Sequence, residues 1–346
     1  MDTIKVIVWG FGAMGKGITE MLLEKRGVEI VGICDLDPNY VGNDFKNFID
    51  TNNKHKSINI SDDIDSIIKE TNPDIALVAT DSFTSKTYEK IAKLVNNKIN
   101  VISTAEEMAF PYASEPELSL NIDELAKKNG VSVLGTGINP GFVMDLLVIA
   151  LTGVMRDVKE IDVSRINSLS PFGPTVMEEQ GVGISLSEYN NRIKNNSLAG
   201  HVGFKESINM IAKALGINIT KFEQQMKPII SENSRKSKYT EVEPGNLAGI
   251  NMTAQGFVDN DLFINMSHPQ QIEPESVGIE TGDYIKIKGN PEVNMTITPE
   301  IDGGVGTIAM CVNMIPHVLN AKPGLKTMID LPVPRAILGD MRELLE

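Results

Sequence analysis

Three glycines in the run Gly10-Phe11-Gly12-Ala13-Met14-Gly15 follow a β-branched apolar stretch, Ile4 to Trp9. A helical pattern comes next, with Met14, Ile18, Met21 and Leu22 on one face. The following apolar stretch, Val28 to Cys34, ends in Asp35, twenty residues beyond Gly15. Strand, glycine turn, helix, strand and acid, in that order, is the sequence form of a dinucleotide-binding βαβ unit. Gly10 permits the tight turn, Gly12 lets a pyrophosphate approach the backbone, and Gly15 allows close helix–strand packing. Phe11, Ala13 and Met14 then belong to a phosphate cradle at a helix N-terminus. Asp35 would accept hydrogen bonds from ribose hydroxyls and repel a 2′-phosphate, so NAD is the expected cofactor and NADP the alternative. Asp37 could share that role, and no Arg follows to serve a 2′-phosphate. The plainer reading, a turn that merely needs glycine beside an exposed acid, does not account for the whole order of elements.

The elements around this loop continue the alternation. Helical stretches at Asp62 to Lys69, Ser85 to Val95 and Leu118 to Lys128 alternate with strand-like Asp74 to Thr80, Asn100 to Ser103 and Val131 to Leu134. That rhythm predicts an α/β Rossmann domain with a doubly wound parallel sheet. Ligands sit beyond the carboxyl ends of such strands. Thr80 and Ser82, flanking Asp81, and Thr104 and Ala105, preceding Glu106 and Glu107, are therefore expected to line the cofactor site, as is the Gly135-Thr136-Gly137 loop.

After Gly141 the pattern changes. A linking helix is expected over Phe142 to Met155, then strands at Ile161 to Ile166, Lys238 to Val242, Asn251 to Val258, Leu262 to Met266, Tyr284 to Lys288 and Val293 to Ile297. Helices at Leu186 to Lys194 and Lys205 to Leu215 interrupt them, and Gly303 to Asn320 returns to helix. This predicts a second, α+β domain on a mainly antiparallel sheet. Residues 1–140 form the expected dinucleotide-binding domain, with 303–346 packing back on it, and 141–302 the expected substrate-binding and dimerisation domain. A sheet of this kind keeps one face open, which suggests a homodimer.

Composition excludes several classes. The chain has 346 residues and a formal charge of -14, without a basic cluster, which argues against nucleic-acid binding. Two cysteines, Cys34 and Cys311, cannot form a disulfide framework, and a reducing, cytoplasmic setting is expected. Apolar runs are short, so no membrane span is expected, and the N-terminus reads as a strand and not as a signal peptide. The four histidines show no helical i, i+4 pair and no Cys-x-x-Cys occurs, so no metal site is indicated.

The segments IKVIVWGFGAMGKGITEMLLEKRGVEIVGICDLDP, VISTAEEMAFP, GTGINPGFVMD and GHVGFKESI resemble the 2,4-diaminopentanoate dehydrogenase family, across both domains. The glycine loop is generic, whereas GTGINPGF and GHVGF are more specific. The resemblance implies NAD(P)-dependent oxidative deamination of 2,4-diaminopentanoate at C4, giving 2-amino-4-oxopentanoate and ammonium, as in ornithine fermentation. The related dihydrodipicolinate reductases carry a His-His pair followed by a Lys and a Gly-Thr-Ala tract, whereas this chain has no adjacent histidines and no Gly-Thr-Ala. Two alternatives stay open: another diamino-acid dehydrogenase of the meso-diaminopimelate type, and a non-catalytic NAD-binding redox sensor.

Such a deamination needs a base, because an ammonium with a pKa of about 10 cannot push a hydride from its carbon. Glu106, Asp81 and His201 are the candidates, with Glu106 favoured over its neighbour Glu107 since adjacent side chains point apart. His201 has a resting pKa suited to proton transfer but could equally be a loop or capping histidine. Asp145 reads as a helix-terminus acid as readily as a base. For the substrate carboxylate, Gly137 and the Asn139-Pro140-Gly141 amides ahead of a helix are candidates, and Arg165 is a bidentate one. Arg192 is the other possible bidentate partner, and a surface salt bridge is the simpler reading of each of these two Arg. Glu178 and Glu179, beside Gly181-Val182-Gly183, could meet the second amine. His55 in NNKHKS reads as surface, and His317 as packing.

Overall fold

The computed structural model describes residues 3–51, 55–195, 197–198 and 200–346, so the Asn52–Lys54 part of the polar stretch around His55 lies outside the described residues. The chain divides into two compact units, Met1–Phe142 with Asp302–Glu346, and Val143–Ile301.

The first unit opens with β1 (Ile4–Trp9), α1 (Ala13–Leu23) and β2 (Val28–Cys34), followed by α2 (Ile64–Thr71), β3 (Ile75–Val78), α3 (Thr84–Asn96), β4 (Asn100–Ser103), α4 (Pro116–Asn129) and β5 (Ser132–Gly135). Strands β3 and β5 are buried along their whole length, as expected of strands covered on both faces. Ile91, Leu94 and Val95 of α3 and Ile122 and Ala126 of α4 pack with Val101 and Val133 into one core cluster that includes Cys34. Each fully buried Ile or Leu there contributes about 1.5–3 kcal/mol. The side chain of Asp63 caps α2 by accepting from Ser66 N at 3.0 Å, and Gly130 ends α4 at φ 73.

The second unit begins with α5 (Leu146–Thr152), β6 (Asp157–Ser168), α6 (Pro174–Glu179), α7 (Leu186–Lys194) and α8 (Phe204–Leu215). It continues with β7 (Lys221–Ile230), β8 (Arg235–Lys236), β9 (Glu241–Val242), β10 (Leu247–Val258), β11 (Asp261–Gln271), β12 (Gly282–Asn290) and β13 (Val293–Ile297). Its sheet runs β13-β12-β6-β11-β10-β7, antiparallel except where β6 and β11 pair in parallel. Ile161, Val163, Ile264, Met266, Ile250 and Ala254 are buried on one face. Asp162, Ser164, Asn265 and Ser267 on the other are partly exposed and bond to one another.

The chain then returns to the first unit as α9 (Gly303–Asn313), α10 (Ile315–Leu319) and β14 (Gly324–Lys326), the last completing a parallel sheet of order β14-β5-β4-β3-β1-β2. No helix among the described residues is long and apolar enough to cross a membrane.

Several expectations need correction. The linking helix is only α5, because Gly141 sits at φ 124 and the Asp145 side chain caps the helix one residue before Leu146. The expected strand at Lys238 to Val242 shrinks to β9, and the whole of β7 was unforeseen. Lying at the sheet edge and paired only with β10, β7 is not held to a clean apolar alternation. The expected helix over Gly303 to Asn320 breaks at Met314, and Pro316, which has no N–H to donate, opens the next turn.

Candidate functional site

In the first unit the glycine loop lies at the carboxyl end of β1. Gly10 holds φ 100, and a Cβ there would stand 2.4 Å from the Ala79 carbonyl oxygen. A Cβ on Gly15 would stand 1.8 Å from the Gly10 carbonyl oxygen, so α1 packs on the turn with no room for a side chain. Gly12 is different. It has an ordinary φ of -69, and a Cβ there would meet nothing within 4 Å. The fold alone therefore needs Gly10 and Gly15, while Gly12 leaves bare backbone facing open space beside the α1 N-terminus. That vacant approach is the fit a pyrophosphate requires.

Gly12→Ala is accordingly expected to keep unfolding stability within about 1 kcal/mol of the native chain. Its affinity for NADH is expected to fall at least about tenfold. Gly15→Ala, in contrast, is expected to destabilise by about 2–3 kcal/mol. Urea titration with a parallel fluorescence titration of NADH separates these effects, and an alanine at 12 that binds normally would contradict the cradle.

Asp35 is tied into this loop. One carboxylate oxygen accepts from Phe11 N and the other from Asp37 N at 2.8 Å. The Phe11 ring is fully buried and packs edge-on against Tyr40 and Phe48. Two apolar side chains that sequence reasoning missed, Leu36 and Phe83, are 75% and 45% exposed in the loops after β2 and β3. Their signal was available: each is an apolar residue set among polar ones just past a buried strand.

The loops after β3 and β4 are joined. Glu107 N donates to Ser82 O at 3.1 Å, and the Glu107 carboxylate accepts from Thr84 N at 2.8 Å, capping α3. Asp81 pairs with Lys90 at 2.5 Å, and Lys90 also donates to the Thr80 hydroxyl at 2.9 Å. Glu106 opens the short turn of helix Glu106–Ala109 and is partly exposed. Thr104 N donates to Val78 O at 3.0 Å, and Ala105 is buried. Beyond β5, Ile138 N donates to the Thr307 hydroxyl at 3.2 Å. Gly141 turns so close to Gly137 that a Cβ would lie 2.6 Å from its backbone. The Asn139-Pro140-Gly141 amides do not open a helix, since α5 starts at Leu146.

The second unit gathers a polar cluster on its buried sheet face. Arg165 on β6 faces Asp283 on β12 in register, and their charges meet at 2.5 Å with both side chains almost wholly buried. The same pair encloses Ile301: Arg165 donates to its carbonyl at 2.5 Å and its N–H donates to Asp283 at 2.9 Å. His268 on β11 shares a 2.9 Å hydrogen bond with Asn167 of β6. The His201 ring meets the His268 ring at 4.8 Å, edge to face. His201 is delivered by its glycines, because Gly200 at φ 62 and Gly203 at φ 124 bend the loop onto the sheet. A Cβ on Gly200 would strike the Met226 and Met252 side chains. The His201 Nε2 is shut off from solvent and has no partner among the described residues.

Burial, and then the Arg165 charge, push the His201 pKa down to about 3. His268 is held well below its ordinary value by burial, then by His201 and Arg165. Unfolded histidines protonate near pH 6.5, whereas these stay neutral in the folded chain. Acid therefore favours the unfolded state, and the stability present above pH 6.5 is lost as pH falls toward 3. Each histidine can contribute a slope of up to about 1.4 kcal/mol per pH unit. Urea midpoints measured between pH 6.5 and 5 are expected to drop, with a shallower drop for His201→Gln. An unchanged slope in that variant would contradict the assignment.

Other candidates fall elsewhere. Asp145 is fully buried, where it accepts from Leu146 N at 2.6 Å and the Ser207 hydroxyl at 2.8 Å. Glu178 and Glu179 are exposed, and Arg192 pairs with Glu188 one helical turn away. Among the described residues no three His, Cys, Asp or Glu gather to hold a metal.

Residues 142–346 match the family described as 2,4-diaminopentanoate dehydrogenase C-terminal domain, and residues 4–109 the family described as dihydrodipicolinate reductase, N-terminus. The chain is 55% identical to the 2,4-diaminopentanoate dehydrogenase of Acetoanaerobium sticklandii, over 100% of this chain and 98% of that one. An amine dehydrogenase of Streptomyces virginiae is 21% identical, over 96% of this chain and 98% of that one. The solved amine dehydrogenase of Mycobacterium smegmatis superposes with a TM-score of 0.85 at 24% identity, over 96% and 97% of the two chains.

Proposed function

The chain belongs to the 2,4-diaminopentanoate dehydrogenase family, and from that membership we propose that it deaminates 2,4-diaminopentanoate oxidatively at C4, yielding 2-amino-4-oxopentanoate and ammonium. It is an NAD(P)-dependent amino-acid dehydrogenase acting on a CH–NH2 group. The observation that carries the substrate is the 55% identity to the curated relative along the full chain.

The dinucleotide is held by the Gly10–Gly15 loop, Asp35 and the Thr80–Ser82 and Thr104–Ala105 loops, with Leu36 and Phe83 as apolar platforms for its adenine. When bound it supplies the hydride acceptor. Glu106 takes the proton from the C4 ammonium, so that the amine lone pair can drive C–H cleavage, and passes it to solvent; the carboxylate then takes a proton from the water that adds to the iminium and returns it to the amine, which departs as ammonium. Glu106, partly exposed in the turn beyond β4, is taken first, with Asp81, paired to Lys90, as the second candidate. Glu106 is preferred to His201 because a ring with a pKa near 3 holds a proton too weakly near neutrality. Neutral His201 and His268, with Arg165, receive the substrate carboxylate, for which the unpartnered His201 Nε2 is a ready hydrogen-bonding atom. Gly137, Asn139, Pro140 and Gly141 line the substrate through their backbone. We place the enzyme in ornithine fermentation in the cytoplasm, as a homodimer, with NAD preferred.

NAD reduction measured with 2,4-diaminopentanoate, meso-diaminopimelate, ornithine and no substrate tests the reading. Turnover confined to 2,4-diaminopentanoate is expected, and equal or better turnover on meso-diaminopimelate would overturn it. Tight NADH binding without turnover on any substrate would instead favour the redox sensor.

A further inference from the structure

Lys16 stands one residue past the last glycine of the loop, in the first turns of α1. Its ammonium donates to the Tyr40 hydroxyl at 3.0 Å and lies 4.4 Å from the Tyr40 ring centroid. The Phe48 and Phe11 rings lie 5.7 and 5.8 Å away. These three rings pack edge-on against one another and form a fixed seat. No carboxylate pairs with Lys16 among the described residues. Aromatic faces position a cation without neutralising it, so the charge remains available to an anion.

The seat belongs to the same corner as the ribose acid. Phe11 donates its N–H to Asp35, and Tyr40 lies five residues beyond Asp35, with its N–H on the Asp37 carbonyl at 2.9 Å. Both acids of this corner are turned onto amides. Asp35 accepts from two backbone N–H groups, and Asp37 accepts from the Asn39 backbone and side chain, each at 2.8 Å. The carboxylates are thus partly compensated, while the one nearby cation in the seat is not.

We propose that Lys16 is the counter-charge for the 2′-phosphate of NADP, so that the site accepts NADP although its ribose acid favours NAD. The proposal rests on the dinucleotide reading of the glycine loop. An ammonium binds a phosphate as a point charge, and the aromatic seat fixes where that charge stands.

Binding of NADPH and NADH to the protein without substrate, followed by nicotinamide fluorescence, tests this. Lys16→Met is expected to raise the Kd for NADPH at least about tenfold and that for NADH less than about twofold. Lys16→Arg is expected to keep NADPH binding within about threefold, which separates lost charge from lost folding. In the native protein the NADPH Kd should rise more steeply with KCl than the NADH Kd, and the difference should vanish in Lys16→Met. Equal weakening of both nucleotides would assign Lys16 to the shared pyrophosphate and overturn the proposal, as would no change in either. A native protein that binds neither nucleotide would overturn the cofactor reading itself, and the proposal with it.

Discussion

The Glu106→Gln enzyme is expected to bind NADH as tightly as the native chain and to turn over 2,4-diaminopentanoate about 1,000-fold more slowly. The amide is nearly isosteric with the carboxylate but cannot take a proton. Loss of a positioned base accounts for an effect of about 100- to 10,000-fold, and in the mechanism we propose one group serves both C4 deprotonation and water activation. Glu107→Gln provides the contrast. Its carboxylate caps α3 through Thr84 N, and Gln can still accept that bond, so activity should fall less than about tenfold. Steady-state kinetics beside NADH titration tell the cases apart. A Glu106→Gln enzyme with near-native kcat would move the base to another residue.

Removing one partner of the Arg165–Asp283 pair should have the largest effect on folding. Arg165→Met leaves the Asp283 carboxylate buried with only the Ile301 N–H, and the expected cost is about 3–5 kcal/mol in urea unfolding. Adding Asp283→Asn keeps an acceptor for that N–H and removes the stranded charge, so the double variant should regain at least about half of the loss. In that double variant KM for 2,4-diaminopentanoate should still rise about 10- to 100-fold if, as we propose, Arg165 receives its carboxylate. A double variant with native KM would show Arg165 to be a structural ion pair alone.

Much of the first unit was legible because local and global demands coincide there. The β1–glycine–α1 sequence specifies its own turn, and β4 falls where its apolar pattern ends. The second unit was less legible. Strand β7 mixes Lys, Glu, Gln and Pro, since an edge strand is not required to alternate. The site followed the same division. Gly12 and Asp35 could be found by spacing, whereas the ion pairing of Asp81 depends on Lys90 nine residues away across a turn. Arg165, Asp283 and Ile301 are far apart in sequence, and the pair that buries them exists only once β6 and β12 are in register. His201 read as a candidate base because sequence carries a resting pKa and not the burial that lowers it.

In the reaction we propose, oxidation occurs at C4 of a diamino acid whose carboxylate is held at the other end. 2,4-Diaminopentanoate deuterated at C4, incubated with NAD and the native enzyme, tests it directly by mass spectrometry of both products. Deuterium is expected in the NADH, with 2-amino-4-oxopentanoate as the keto acid. Unlabelled NADH with 4-amino-2-oxopentanoate would contradict it, placing the reaction at C2 and the carboxylate beside the base.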